Sequence, residues 1–117
     1  MSGIIVYKSK YGATKKYAEW ISEETGFKVK EASEVSKLDF TKYDTIIFGS
    51  GIYMSKLSIA YLIEKSYEFF SDKNLVVFGV GSCPFDEENI KTIVSGSFDK
   101  FKNVPFFYCR GIIHVNN

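Results

Sequence analysis

A chain of 117 residues, 45% of them apolar and 17% aromatic, is one domain long and rich enough in Phe and Tyr to bury a core, which excludes a disordered binder. Its 15 basic and 14 acidic residues leave a formal charge of +1, which excludes a broad electrostatic grip on nucleic acid or on an anionic membrane. No apolar stretch reaches the roughly 20 residues that span a bilayer, the N-terminus lacks a secretion signal, and Cys83 and Cys109 have neither the spacing nor the neighbours of a zinc site. A cytoplasmic chain with reduced thiols, no transmembrane segment and no metal is expected.

In chain order, the first predicted element is the apolar strand Ile4 to Tyr7, followed after Lys8 by Ser9-Lys10-Tyr11-Gly12-Ala13-Thr14. A helix then follows on the spacing of Ala13, Tyr17, Trp20 and Ile21. Phe27 to Glu31 alternates apolar and charged residues and reads as an edge strand. Ala32 to Asp44 carries Val35, Leu38 and Phe40 at irregular spacing, which predicts an extended crossover with at most a short helix. The strand Thr45 to Gly49 is almost wholly apolar and buried. Ile59, Leu62, Ile63, Ser66, Phe69 and Phe70 share a helical face, and Leu75 to Gly79 is a second buried strand. A third helix is predicted on Ile90, Ile93, Val94, Phe98 and Phe101, with Asp86, Glu87 and Glu88 at its start and Lys100 and Lys102 at its end, in the order a helix dipole favours. The last strand runs from Phe106 to Val115, with an irregularity at Arg110-Gly111. No repeat or linker divides the chain, so the alternation of strands and helices implies one doubly wound α/β domain with a parallel sheet.

Ligands of such sheets bind at the carboxyl ends of the strands, and three glycine-bearing loops are predicted there: Ser9 to Thr14, Gly49 to Ser55 and Gly79 to Phe85. The first has the chemistry of a phosphate cradle. Gly12 lets the backbone approach, the hydroxyls of Ser9, Tyr11 and Thr14 donate, and the amides from Lys10 to Thr14 form a small nest at a helix N-terminus. The bland alternative is a helix merely capped by Ser9 or Thr14. Other phosphate and receiver folds fail on specific residues. Lys8-Ser9, Gly49-Ser50 and Gly79-Val80 stand where a receiver domain needs acids and a lysine, and Gly12 is the only glycine of the first turn, so neither G-x-G-x-x-G nor a Walker loop is present.

On these residues the chain resembles the flavodoxin-type FMN-binding family, from its first residue to near its last. Ser9-Lys10-Tyr11-Gly12-Ala13-Thr14 matches that family's phosphate pattern of hydroxyl, any residue, Thr or Tyr, Gly, any residue, Thr. The resemblance implies a flavodoxin-like five-stranded sheet in the order 2-1-3-4-5 and FMN as cofactor. It implies cofactor contacts from Ser9, Lys10, Tyr11, Gly12, Ala13 and Thr14 at the phosphate. Ser50, Gly51, Ile52, Tyr53 and Met54 would lie along the isoalloxazine, with Tyr53 stacking and Met54 a polarisable contact. Gly79, Val80, Gly81, Ser82, Cys83 and Phe85 would meet its pyrimidine edge, where backbone donors stabilise negative charge on the reduced ring. No residue is assigned a catalytic role: Cys83 and Cys109 read as packing thiols, His114 as a packed strand residue, and Lys15-Lys16 and Lys28 to Lys30 as solvated faces.

Within the superfamily, Tyr43-Asp44-Thr45-Ile46-Ile47-Phe48-Gly49-Ser50-Gly51-Ile52, the short second crossover and Met54-Ser55-Lys56-Leu57 are similar to the branch that includes menaquinone-dependent protoporphyrinogen oxidase. Two departures accompany the resemblance. The chain stops at Asn117, so the C-terminal helix of the fold is expected to be missing, through truncation or natural shortness. The apolar side of the first helix at Tyr17 and Ile21 would then be exposed, a face that would suit a homodimer. The near-neutral charge differs from the strongly acidic electron shuttles of the family and favours a flavin domain with its own substrate. Two functions follow: an FMN protein in electron transfer or oxidoreduction, acting on a redox partner protein or a small quinone-like or porphyrin substrate, and a flavin-free module with an assembly or regulatory role.

Overall fold

The structure, a computed structural model, describes residues 2–9, 12–53, 56–69, 72–81, 88 and 105–110. The expected third helix apart from Glu88, the loop residues Lys10, Tyr11, Met54, Ser55, Ser82, Cys83 and Phe85, residue His114 and the strand beyond Arg110 lie outside the described residues.

The elements are β1 (Gly3–Lys8), α1 (Ala13–Thr25), β2 (Lys28–Glu31), α2 (Lys37–Lys42), β3 (Thr45–Tyr53), β4 (Lys56–Leu57), α3 (Ala60–Lys65), β5 (Asn74–Gly81) and β6 (Phe106–Arg110). The parallel sheet has the order β2-β1-β3-β5-β6, and the two-residue β4 folds back antiparallel on β3. With β4 set aside, this is the expected order 2-1-3-4-5, with the alternating strand β2 at the rim.

Side chains of a strand point alternately to opposite faces, and both faces of the central strands are covered. Ile4, Val6, Ile46, Phe48 and Val77 pack with Phe40 of α2 and with Ile59 and Ile63 on one side. Ile5, Ile47, Phe78 and Val80 pack with Ala18 of α1 on the other. Coverage of both faces is why β1, β3 and β5 read as continuous apolar runs.

Helix α1 runs between two glycines in the left-handed region, Gly12 at φ 91° and Gly26 at φ 77°, and the Gly26 amide closes the last turn on the Ser22 carbonyl at 2.7 Å. Its inward stripe differs from the expected one. Tyr17 and Ile21 are half-buried against the sheet rather than bare, whereas Trp20 is 50% exposed and meets Tyr17 edge-to-face at 5.3 Å. The edge-to-face contact with Tyr17 is a favoured aromatic arrangement for a ring left half exposed.

The second crossover contains a single 3-10 turn at Ala32–Glu34 and the six-residue α2. Asp39 secures that short helix by accepting from the Ser36 amide at 2.8 Å and from its hydroxyl at 3.2 Å. Lys30, reaching across from β2, pairs with the same carboxylate at 3.1 Å. The Ser36 amide and then Lys30 hold the Asp39 carboxyl below its ordinary pKa, against the opposing effect of burial. No helix among the described residues is long and apolar enough to cross a membrane.

Candidate functional site

Strand β1 lies between β2 and β3, and the connections that leave its two sides cover opposite faces of the sheet. The carboxyl edge of β1 and β3 is therefore the switch point of the fold, where a crevice opens between diverging connections. Lys8 and Ser50 are in register at that edge, so the turn after β1 and the end of β3 stand side by side.

The turn after β1 is built by Ser9. Its Oγ accepts the Gly12 amide at 2.9 Å, folding the chain back so that Gly12 takes its left-handed conformation and becomes the residue before α1. The Gly12 carbonyl then accepts the Lys16 amide at 3.0 Å, starting the helix ladder. No side chain caps α1 and its first turn holds no acid, so the amides of that turn keep their capacity for an outside acceptor. Thr14 is only 3% exposed, and a Cβ built on Gly12 would meet no atom within 4 Å. The bland alternative, in which Ser9 or Thr14 merely caps the helix, is not the arrangement seen. Ser9 shapes the turn, and the helix start stays uncapped beside open space.

The end of β3 differs from the expected loop. Residues 49–53 continue the strand, pairing with β5 as far as Gly51 opposite Val80 and then with β4. Ser50 is fully buried; its hydroxyl donates to the Gly51 carbonyl at 3.1 Å and accepts the Ile59 amide at 3.2 Å. The Gly51 carbonyl also accepts the Ser58 amide at 3.0 Å. Ser50 therefore latches the β3–β4 hairpin to the start of α3, and its side chain is spent inside the fold. Ile52 packs inward against the core. Gly51, by contrast, has nothing within 4 Å of a built Cβ, so the backbone is bare on that side.

The third predicted loop also starts later than expected. Gly79, Val80 and Gly81 belong to β5, and Val80 is a core residue. A Cβ on Gly79 would come within 2.8 Å of Leu57 and 3.0 Å of Phe106, and one on Gly81 would meet the Tyr108 ring. These two glycines make room for neighbouring side chains. Cys109 packs half-buried against the same core as Val80, and burial pushes its thiol pKa up.

Two side chains at this edge escaped the sequence reading. The Lys8 ammonium lies over the Tyr61 ring, 4.8 Å from its centroid, and Tyr61 is 55% exposed. Tyr61 falls off the apolar spacing of Ile59, Leu62 and Ile63, which was the one available sign that it faces outward. On the other flank of the turn, a groove of about 460 Å³ runs between α1 and β2. Glu19, Glu23, Glu31 and Glu34 line it, a set that repels anions. The Glu31 carboxyl is held below its ordinary pKa chiefly by the Ser33 hydroxyl, with a smaller contribution from the Lys8 charge.

The flavodoxin domain profile matches residues 4–114 of the sequence. No curated protein matches the chain significantly. Among solved structures, a Lactobacillus acidophilus flavoprotein in complex with FMN superposes at TM-score 0.70 and 20% identity, over 94% of this chain and 93% of that one. A WrbA-like flavodoxin from Agrobacterium tumefaciens gives TM-score 0.68 at 20% identity, over 91% and 74%. Oxidised flavodoxin 1 from Bacillus cereus gives 0.61 at 16%, over 98% and 88%. At such identities the superpositions speak for the fold alone, and they agree with the strand order and the switch point. With the profile running from β1 to within a few residues of the C-terminus, this chain belongs to the flavodoxin domain family.

Proposed function

We propose that the chain binds FMN at the carboxyl edge of β1 and β3 and serves in electron transfer or oxidoreduction. The observation that carries this reading is the turn Ser9 to Thr14: an uncapped helix start free of acids, with open space in front of Gly12. A phosphomonoester dianion needs several donors and no bulky neighbour, and the residues present fit it. The Ser9 hydroxyl uses a lone pair on the Gly12 amide, which leaves its proton to donate outward. The amides from Ala13 to Lys15 supply further donors with the helix dipole behind them. The bare backbone at Gly51 accommodates a flat ring at the hairpin, and the family resemblance adds Tyr53, Met54, Ser82, Cys83 and Phe85 as further proposed contacts.

FMN supplies the redox chemistry when bound, and the protein's part is to hold it, orient it and set the polarity around it. The near-neutral surface gives little electrostatic steering toward a charged partner protein, which supports a small quinone-like or porphyrin substrate over a shuttle. The finer placement beside menaquinone-dependent protoporphyrinogen oxidase is supported by the passage from Tyr43 to Ile52 and by the short crossover with its six-residue α2.

The test is a flavin titration of purified protein followed by visible absorption, repeated on Gly12→Val and Thr14→Ala. Saturable uptake that both substitutions weaken is expected. Absence of uptake by the wild-type protein at micromolar FMN would remove the redox reading and leave the flavin-free module.

A further inference from the structure

The exposed side of α1 carries a short row of residues with its own chemistry. Lys16, Trp20 and Glu24 follow one another at intervals of four, so they form one ridge along the helix, and all three are exposed. The Trp20 ring is 50% exposed and is backed edge-to-face by Tyr17 at 5.3 Å. Tyr17 and Ile21, where a homodimer face was expected, pack on the sheet, and the ring that α1 offers to a partner is that of Trp20.

The charges of this helix run against its dipole. Lys15 and Lys16 stand in the first turn and Glu23 and Glu24 in the last, with no acid at the start and no base at the end, the reverse of the order that stabilises a lone helix. Lys16 and Glu24 are about 12 Å apart along the axis, too far to pair with each other, and neither enters the one ion pair among the described residues, Lys30 with Asp39. A second α1 laid antiparallel across Trp20 resolves the conflict. Its dipole and its charges run the other way, and Lys16 of each copy comes opposite Glu24 of the other, since both stand four residues from Trp20.

We infer that α1 is a self-association surface, on which a second copy of this chain packs antiparallel about a twofold axis at Trp20. Such a contact is isologous. Tryptophan, a residue type that carries much of the energy of interfaces, lies at its centre, and the two symmetry-related pairs of Lys16 with Glu24 lie at its rim, where they set orientation more than affinity. The formal charge of +1 lets two copies approach. One helix face per copy is a small contact, so the dimer is weak and forms at high protein concentration. Gly12 lies about two turns along the helix from Trp20, so the assignment stands apart from the FMN reading and either can fail alone.

The experiment is sedimentation equilibrium at protein concentrations up to about 1 mM, on the wild-type chain, Trp20→Ala, Lys16→Glu, Glu24→Lys and the double exchange of Lys16→Glu with Glu24→Lys. Circular dichroism shows that each variant is folded. A monomer–dimer equilibrium is expected for the wild type, weakened at least about tenfold by Trp20→Ala. Each single charge reversal should weaken it by setting like charges opposite each other, the double exchange should restore it, and an equimolar mixture of the two single reversals should give a mixed dimer. A wild-type chain that stays monomeric throughout would overturn the assignment and leave the ridge to a different partner. A dimer unchanged by Trp20→Ala, or charge variants that all associate like the wild type, would overturn it by placing the second copy on another surface.

Discussion

Gly12 combines a backbone conformation that side chains disfavour with empty space where a side chain would stand. The two costs of replacing it separate cleanly. Gly12→Ala meets no steric obstacle, so its effect on the flavin-free protein is conformational, about 1–2 kcal/mol, measurable as a lower urea midpoint at unchanged slope. Its effect on FMN should be larger for Val than for Ala, because the branched side chain fills the space proposed for phosphate. Gly79 is the opposite case. Its conformation is ordinary, but a Cβ there sits 2.8 Å from Leu57 and 3.0 Å from Phe106, and Gly79→Ala is expected to cost about 1–3 kcal/mol by overpacking. Both glycines occur beside apolar strands in the sequence, and only the dihedral angle and the neighbours tell the one that faces open space from the one that makes room within the sheet.

At the scale of elements, the hairpin after β3 depends on Ser50. Removing its hydroxyl strands the buried Ile59 amide, so Ser50→Ala should cost about 1–3 kcal/mol and loosen the start of α3, seen as faster amide exchange at Ile59. The crossover depends on Asp39 in the same way, but with a pH signature. Its carboxyl pKa is lowered in the fold, so its stabilisation is present above the unfolded value of about 4 and is lost as pH falls through the lower folded value. The stability deficit of Asp39→Ala, about 1 kcal/mol near neutral pH, should therefore narrow below about pH 4, as followed by denaturant titrations across pH.

The strand and helix cores were legible in the sequence because the apolar pattern of β1, β3 and β5 reports burial on both faces, and the alternation in β2 reports an edge. Strand ends were not. Gly49 and Gly79 read as strand ends and Gly51 and Gly81 as loop formers, yet β3 and β5 take in all four, because a glycine that admits Phe78 or Tyr108 against the sheet looks, in sequence, like one that frees a turn. The two-residue β4 carries no periodicity at all and could be found only through its pairing with Ile52 and Tyr53.

For the whole molecule, the strand order β2-β1-β3-β5-β6 decides where a ligand is expected. It sets the two connections flanking β1 on opposite faces, and the crevice between them receives the Ser9 turn, the bare backbone of Gly51 and the Lys8–Tyr61 pair together. The strand-to-helix turn between Ser9 and Gly12 was readable in advance because hydroxyls and a glycine between an apolar strand and a helical stretch are a local signature. The Lys8–Tyr61 contact was not, since it joins residues 53 positions apart through the sheet register. The central claim is that this edge holds FMN by its phosphate. Titrating the purified protein with FMN while following the visible absorption band tests it most directly. Saturable binding of one FMN per chain at micromolar concentration or below, weaker in Gly12→Val, is the predicted result, and a spectrum identical to free FMN at every protein concentration would contradict it.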